Sequence, residues 1–191
     1  MPVLPMYDAI ILGAGAAGLM CAGVAGQRGR RVLVVDHADR PGKKILISGG
    51  GRCNFTNLHT APDRFLSANP HFAKSALGRY TAADFVALVD RHGIAWHEKT
   101  LGQLFCDGSA RQIVDMLLAE CPNMVELALG QPIASVSHAD DTFRVTLADG
   151  RVAEAPSLVL ATGGPSIPKM GATDLSYRLA KQFGLKLVEP R

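Results

Sequence analysis

The 191-residue sequence has few cysteines, no paired histidines and nearly balanced charges. Its four cysteines include no CxxC pair, which argues against a zinc site and against a disulfide framework. Its six histidines include no HxxxH pair, so we predict no metal site. The net charge of +3 is too small to indicate a nucleic-acid partner by itself. These absences favour a cytoplasmic protein with reduced thiols.

The sequence also has no convincing membrane segment. Residues 9–26 form an uncharged run of 18 residues, which is long enough to span a membrane. However, five of these residues are glycine, and no Lys or Arg precedes the run as a signal peptide would require. The run also divides into a strand-like part and a helix of small residues. We therefore predict no membrane partner.

Glycine is the residue type that the sequence has in excess. There are 20 glycines, and ten of them lie between Gly13 and Gly51. A local excess of this kind indicates backbone that turns sharply or approaches a ligand closely.

The order of apolar and small residues predicts an α/β fold that begins with a βαβ unit. Buried strands at 7–12 and 31–36 flank a helix at 15–28, so the two strands are predicted to be parallel. Residues 37–60 are polar, basic and glycine-rich, and we predict a long functional loop there, anchored to the core through 45–47. The other predicted elements are helices at 71–79, 82–92, 109–120 and 173–183, strands at 94–98, 103–106, 124–128, 157–161 and 185–188, and a β-meander of strands at 132–138, 142–147 and 151–154.

The first motif is Gly13-Ala14-Gly15-Ala16-Ala17-Gly18, which follows a predicted strand and opens a predicted helix. A GxGxxG sequence in this setting is typical of dinucleotide binding. Gly13 would make the tight turn, Gly15 would let a pyrophosphate approach the backbone, and Gly18 would let helix and strand pack closely. The helix N-terminus would supply N–H donors and partial positive charge to the phosphates. A glycine-rich turn without a ligand is the alternative.

Asp36 ends the second predicted strand, 18 residues after Gly18. This matches the acidic residue that binds a ribose hydroxyl in dinucleotide-binding units. A carboxylate there would repel a 2′-phosphate, which disfavours NADP in this particular pocket. A solvated aspartate at the end of a strand is the alternative.

Two further glycine-rich segments are candidates for cofactor contact. Three glycines, Gly49, Gly50 and Gly51, give backbone that can lie flat against a planar or phosphorylated group. Positive charge and hydrogen-bonding groups flank them, at Lys43, Lys44, Arg52, Ser48, Asn54 and Asn57. The predicted strand 157–161 ends in Ala161-Thr162-Gly163-Gly164, where a cofactor could pass close to the backbone. Together with the first motif and the meander, these segments suggest a flavoprotein.

Three stretches are similar to the YhiN-like (BaiN/RdsA) family of NAD(P)/FAD-dependent oxidoreductases. They read AIILGAGAAGL at 9–19, GKKILISGGGRCNFTN at 42–57 and ATGGPSIPKMGAT at 161–173. The resemblance covers essentially the whole chain, and the SGGGRCN sequence is much more specific than GxGxxG. It implies a Rossmann-like FAD/NAD(P)-binding domain of the glutathione-reductase type, with a parallel sheet and a β-meander crossing over it.

The resemblance also implies how FAD would be bound. Residues 13–18 would hold the pyrophosphate and Asp36 the adenosine ribose, while Ile133 would lie near the adenine. The segment 43–54 would run along the ribityl and isoalloxazine side, and 161–164 would line the cofactor. Family members are linked to the reduction of activated carbon–carbon double bonds with a reduced nicotinamide as transient donor. One branch is associated with reducing uridine in ribosomal RNA to dihydrouridine.

The sequence departs from the family in two ways. Members often carry a TGDGY-like stretch after the ATGG strand, but here Asp174 is shifted and lacks its flanking glycines, so we do not assign it to the cofactor. The family is also about twice as long as this chain. We expect residues 1–191 to be the N-terminal portion of an FAD-binding domain, without the inserted second domain and the returning FAD segment.

Several alternatives stay open from the sequence. The chain could be a non-catalytic FAD- or nucleotide-binding module, a truncated inactive fragment, or a plain NAD-dependent dehydrogenase. No catalytic residue is assigned, although Arg52 could stabilise a reduced flavin or orient an anionic substrate. Cys53 is interpreted as a structural thiol, and His92 and His97 as ordinary packing or surface residues. The sequence does not distinguish a small-molecule from an RNA substrate, or one oligomeric state from another.

Overall fold

A computed structural model describes residues 6–164 and 173–188 of the chain. Its elements, in chain order, are β1 (Ala9–Leu12), α1 (Ala16–Gln27), β2 (Val32–Val35), α2 (Lys43–Ile47), a 3-10 turn (Ser48–Gly51), β3 (Asn54–Asn57), a 3-10 turn (Pro62–Arg64), α3 (Lys74–Arg79), α4 (Ala82–Arg91), β4 (Trp96–Glu98), β5 (Gln103–Cys106), α5 (Arg111–Ala119), β6 (Val125–Ala128), β7 (Ile133–Ala139), β8 (Thr142–Leu147), β9 (Val152–Ala155), β10 (Leu158–Leu160) and α6 (Leu175–Gln182). The chain divides into two compact units. The first contains residues up to Lys44 and from Leu117 onward, and the second contains Ile45–Met116.

The first unit is built on a parallel sheet with the strand order β10-β1-β2-β6. All four residues of β2 and three of the four in β1 are buried, as expected for strands covered on both faces. Helix α1 lies close to its neighbours because its contact residues are small. A Cβ at Gly26 would lie 2.7 Å from Val125 Cγ2, and a Cβ at Gly23 would lie 3.3 Å from the Glu120 carbonyl oxygen.

The antiparallel meander β7-β8-β9 packs in the same core as the parallel sheet. Val136, Val145 and Ala153 from the meander share this core with Leu12 and Leu33. The turn between β7 and β8 has two consecutive residues with positive φ, 49° and 56°, at Asp140 and Asp141. Such a turn matches the right-handed twist of a hairpin, and aspartate tolerates it better than most residues. The predicted α/β fold with a parallel sheet and a meander is confirmed.

The second unit contains the antiparallel sheet β3-β5-β4 and helices α3 and α4. Phe55 on β3 joins the sheet to α4, because its ring lies 6.1 Å from the ring of Phe85 and 6.3 Å from that of Trp96. Helix α4 begins after Thr81, which forms a reciprocal capping box with Asp84. The capping box sets the start of α4 at Ala82, where the sequence predicts the helix 82–92 to begin.

Two secondary-structure predictions are wrong. Residues 37–60 do not form one long loop, because they contain α2, a 3-10 turn and β3. The strand β3 has the sequence NFTN, in which two strand-favouring residues stand between asparagines, and it pairs antiparallel with β5. Only Ile45 of the apolar segment 45–47 is buried, and Ile47 is 52% exposed. Residues 185–188 form no strand.

No helix among the described residues is long and apolar enough to cross a membrane. Within the same residues, no group of three or more His, Cys, Asp or Glu side chains is arranged to hold a metal ion.

Candidate dinucleotide site

Two glycines of the turn between β1 and α1 are required by neighbouring backbone. Gly13 has φ +110°, and a Cβ there would lie 2.5 Å from the carbonyl oxygen of Ala161, just after β10. A Cβ at Gly18 would lie 1.8 Å from the carbonyl oxygen of Gly13. Both distances are far below van der Waals contact. The first and third motif glycines therefore serve the close packing of the turn, the helix and the end of β10.

Gly15 differs from its two neighbours in the motif. Its φ of −81° suits any residue, and a Cβ there would meet no atom within 4 Å. No packing among the described residues therefore demands glycine at this position. Gly15 is the N-cap of α1 and provides no side-chain cap, so the N–H groups of the first turn have no partner within the helix. Ala16 and Ala17 are exposed beside it, and the turn presents backbone donors and the positive end of the helix dipole.

Asp36 connects the end of β2 to the glycine turn. Its Oδ2 accepts a hydrogen bond of 2.7 Å from the backbone N–H of Ala14, and its Oδ1 accepts one of 2.8 Å from that of Ala38. The side chain is 15% exposed, and the His37 Nδ1 atom lies 3.4 Å from Oδ1. The alternative of a merely solvated aspartate is therefore wrong. A carboxylate can accept about four hydrogen bonds, so capacity for ligand hydroxyls remains.

A cavity of about 180 Å³ opens beside Asp36. Four of its lining residues were singled out from the sequence, namely Gly13, Asp36, Ile133 and Thr162. Six further lining residues were not singled out, namely Val35, His37, Pro132, Thr173, Leu175 and Arg178. Three of these six lie at or just before the start of α6. No local sequence pattern could have identified Leu175 and Arg178, because their approach to the cavity depends on where α6 packs.

The residues after β10 also lie where the sequence predicted a ligand-facing edge. Ala161 donates its N–H to the Leu12 carbonyl oxygen at 2.8 Å, which holds this segment beside β1. Gly163 has φ +74°, and a Cβ there would lie 3.7 Å from the Lys44 Nζ atom. A Cβ at Gly164 would lie 3.2 Å from the Tyr177 hydroxyl oxygen. The structure thus brings Lys44 to the carboxyl end of β10. Residues 165–172, including the rest of the ATGGPSIPKMGAT motif, lie outside the described residues.

The second predicted glycine segment belongs to the second unit. Gly49 and Gly50 both have the left-handed conformation, with φ 56° and 67°. A Cβ at Gly49 would lie 2.6 Å from the Phe105 ring, whereas one at Gly50 would meet nothing within 4 Å, and one at Gly51 only the Leu46 carbonyl oxygen at 3.9 Å. Gly50 thus presents open backbone as Gly15 does. The neighbouring candidates Arg52 and Asn54 are exposed, while Ser48 is half-buried and donates its hydroxyl to the Ile45 carbonyl oxygen at 2.8 Å.

Two thiols of the second unit are buried and have low reactivity. Burial raises the pKa of Cys53, and it raises the pKa of Cys106 to about 11, with the nearby Cys53 contributing to the second shift. Both thiols are therefore protonated near neutral pH and are poor nucleophiles. This agrees with the interpretation of Cys53 as a structural thiol.

His97 lies at the surface, which agrees with the predicted packing or surface role, and it has an acidic partner. Its Nδ1 atom lies 2.6 Å from Asp107 Oδ1, and its ring stacks on Phe105 at 6.2 Å. The carboxylate therefore fixes the orientation of a half-exposed imidazole. No sequence signal connected the two residues, because they meet only through the pairing of β4 with β5.

The comparisons with known proteins bear on this geometry. The family described as HI0933-like protein Rossmann domain matches residues 7–190. The chain belongs to this family. The family resemblance expected from the motifs and the Rossmann-type fold are both confirmed.

Three curated relatives are enzymes by name. The chain is 55% identical over 186 residues to a ribosomal RNA dihydrouridine synthase of Escherichia coli, and 48% identical over 186 residues to one of Haemophilus influenzae. These alignments cover 97% and 95% of this chain and 46% of each relative. A 3-dehydro-bile acid delta(4,6)-reductase of Clostridium scindens is 27% identical, over 91% of this chain and 43% of the relative. The chain thus spans about half the length of the curated relatives it matches.

A solved structure shows the same fold. The halogenase PltM in complex with phloroglucinol and FAD superposes with a TM-score of 0.53 at 21% identity. The match covers 96% of this chain and 37% of the halogenase.

Proposed function

We propose that this chain is the FAD-binding portion of an oxidoreductase that reduces uridine in ribosomal RNA to dihydrouridine. The observation that carries the cofactor assignment is the contrast among the three motif glycines. Gly13 and Gly18 are needed by the protein's own backbone, whereas Gly15 faces open space at the N-terminus of a helix. A glycine with no packing role at such a position is what a closely approaching pyrophosphate requires.

The residues of the first unit fit an extended dinucleotide. The turn 13–18 would hold the pyrophosphate of FAD through backbone N–H groups. Asp36 would accept hydrogen bonds from ribose hydroxyls, and the cavity that it shares with Ile133 would take the adenine. Lys44 and the segment 161–164 would lie along the cofactor. The flavin-side contacts expected of Ser48, Gly49–Arg52 and Asn54 belong to the second unit and stay predictions.

FAD, when bound, supplies hydride transfer between a reduced nicotinamide and an electron-poor double bond. The chain's own contribution is to bind and orient. The turn 13–18 would position the phosphates. The Asp36 carboxylate, already held by two backbone donors, would present its remaining lone pairs to the ribose in a set direction. We assign no catalytic acid.

The choice of substrate depends on the relatives. The identity to the two ribosomal RNA enzymes is 55% and 48%, against 27% to the bile acid reductase. Both kinds of name describe saturation or reduction of a conjugated ring, so a small-molecule enone is the second candidate. A ribosomal RNA substrate also accords with the cytoplasmic location expected from the cysteines.

Two measurements test the proposal. Purified protein should be yellow, and heat should release FAD that is identified by chromatography. The enzyme of the complete reading frame, with NADH or NADPH and unmodified ribosomal RNA, should produce a nucleoside 2 Da heavier than uridine. FAD without turnover on RNA or enones would indicate a non-catalytic module. A colourless protein that binds NAD would contradict both readings.

A further inference from the structure

An open cleft in the second unit is not explained by cofactor binding. It has a volume of about 550 Å³ and is lined by Asn57, His59, Thr60, Arg64, Phe65 and Leu101. Of these residues, the sequence singled out only Asn57, and the segment that the resemblance assigns to FAD ends at residue 54. All of them lie within Ile45–Met116, so the cleft is formed by one compact unit.

The cleft presents a leucine in an unusual conformation. Leu101, at the tip of the β4–β5 hairpin, has φ +55° and is 85% exposed. A residue other than glycine is strained at this positive φ, and burial of the Leu101 side chain does not compensate for the strain. Hydrogen bonds hold the tip in place: the Asn57 Nδ2 atom donates to the Leu101 carbonyl oxygen at 2.9 Å, and the Leu58 N–H donates to that of Gly102 at 2.9 Å.

The imidazole of His59 lies against the same hairpin. It packs on the backbone of Gly102, where a Cβ would lie 2.7 Å from its Cδ2 atom. The Asn57 Oδ1 atom in turn accepts a 2.8 Å hydrogen bond from the His59 backbone N–H. One side of the cleft is therefore fixed before any ligand arrives, and it places an apolar side chain in water.

The surroundings of the cleft combine apolar surface with positive charge. Phe65 is 47% exposed, and the exposed side chain of its neighbour Arg64 forms an ion pair of 3.8 Å with Asp63. Segment 58–80 has three cations, at Arg64, Lys74 and Arg79, against one acidic residue, Asp63. Exposed large apolar residues of the same segment include Leu58 and Phe72. Flat apolar surface beside cations suits single-stranded nucleic acid, whose bases stack and whose phosphates seek positive charge.

We propose that this cleft binds an unpaired nucleobase of RNA, which stacks on Phe65 and contacts Leu101, while Arg64 meets an adjacent phosphate. The inference rests on the proposed RNA substrate and adds where the RNA is held. A free nucleotide could stack on Phe65 but would reach few of the surrounding cations. An RNA strand has a phosphate at every nucleotide, so it is the occupant that the positive charge favours.

Binding of a fluorescein-labelled, uridine-rich single-stranded RNA to the 191-residue chain tests the cleft by fluorescence anisotropy. Phe65→Ala should weaken binding about tenfold, as expected for the loss of one stacked base. Arg64→Gln should lower the slope of log affinity against log salt by about 0.7. Leu66→Ala is the matched control, because Leu66 is fully exposed next to Phe65 but does not line the cleft, and it should leave affinity unchanged.

The outcomes separate this proposal from the proposed function. The RNA-binding proposal would be overturned if the wild-type protein binds FAD but not RNA. It would also be overturned if Phe65→Ala and Leu66→Ala weaken RNA binding equally. Either result leaves the cofactor assignment intact. Capture of a protein partner that Phe65→Ala abolishes, with no effect on RNA, would also overturn the RNA-binding proposal. If Phe65→Ala does not fold, as judged by circular dichroism, Leu101→Ala at the exposed hairpin tip carries the same expectation.

Discussion

The three glycines of the turn at 13–18 have different structural reasons for being glycine, and substitutions can separate those reasons. Gly15→Ala adds a methyl group that meets no protein atom, whereas Gly18→Ala places one 1.8 Å from a backbone oxygen. The first change concerns a ligand, and the second concerns the fold. A single residue type in a motif thus serves two purposes.

We expect Gly15→Ala to lower FAD affinity at least tenfold while changing the free energy of unfolding by about 1 kcal/mol or less, the cost of alanine at an N-cap. Gly18→Ala should destabilise the fold by about 3 kcal/mol or more, because backbone must move to admit the methyl group. Urea denaturation measures stability and flavin fluorescence measures binding. Equal stability losses in the two variants would contradict this assignment.

The buried thiol of Cys106 predicts a loss of stability at alkaline pH. Burial raises its pKa in the folded state to about 11, above the ordinary thiol value of 9.0, so the folded state favours the protonated form. The stabilisation is fully present below the unfolded pKa and is lost as the pH rises from there through the folded value. The urea midpoint should therefore fall between about pH 9 and 11. Cys106→Ala should show a smaller fall over this interval, and an identical fall would rule out this thiol as its source.

At the scale of secondary-structure elements, a reciprocal capping box closes the N-terminus of α4. Asp84 Oδ2 accepts a 2.7 Å hydrogen bond from the Thr81 N–H, and the Thr81 hydroxyl oxygen accepts one of 3.1 Å from the Asp84 N–H. The Thr81 hydroxyl also donates to Asp84 Oδ2 at 2.6 Å. This hydrogen bond, followed by the one from the Thr81 N–H, lowers the pKa of Asp84. A depressed carboxyl pKa stabilises the folded state above the unfolded value and loses that effect as the pH falls through the folded value.

Thr81→Ala should therefore lower the melting temperature by a few degrees at pH 7, since an N-cap hydroxyl is lost. Asp84→Asn should reduce the dependence of stability on pH below about 4, because the titrating carboxylate is gone. Thermal melts by circular dichroism at pH 7 and pH 3 measure both effects. Ser75→Ala, in the neighbouring helix α3, serves as the control and should change neither.

The elements that the sequence predicted well are those whose signal is local. The strands of the βαβ unit are continuous apolar runs, and Thr81 stands directly before an apolar repeat. The strand β3 was missed because its hydrogen-bonding partner lies about 50 residues away on β5. At the site, Asp36 and Ile133 were found by motif and by resemblance, whereas Arg178 was missed. Its approach to the cavity depends on where α6 lies, which no local pattern encodes.

At the scale of the whole molecule, the first unit draws its residues from both ends of the sequence. Its parallel sheet pairs β1 and β2 with β6 and β10, which lie on the far side of the Ile45–Met116 segment. The cavity beside Asp36 likewise takes residues from widely separated parts of the chain, such as Gly13, Ile133 and Arg178. A dinucleotide bound there would connect these parts, so its binding should stabilise the unit as a whole.

Ligand-induced stabilisation therefore distinguishes FAD from the nicotinamide nucleotides. At a free concentration 100 times its Kd, FAD should add about 2.7 kcal/mol to the free energy of unfolding. For a chain of this size that raises the melting temperature by about 5–10 °C. NADP⁺ should give no shift, because the Asp36 carboxylate repels a 2′-phosphate at the ribose position. Gly15→Ala, with an affinity at least tenfold lower, should reduce the FAD shift to about half or less, while the melting temperature of the ligand-free protein changes little. A shift with NAD⁺ and none with FAD would instead identify the site as that of a nicotinamide-dependent dehydrogenase.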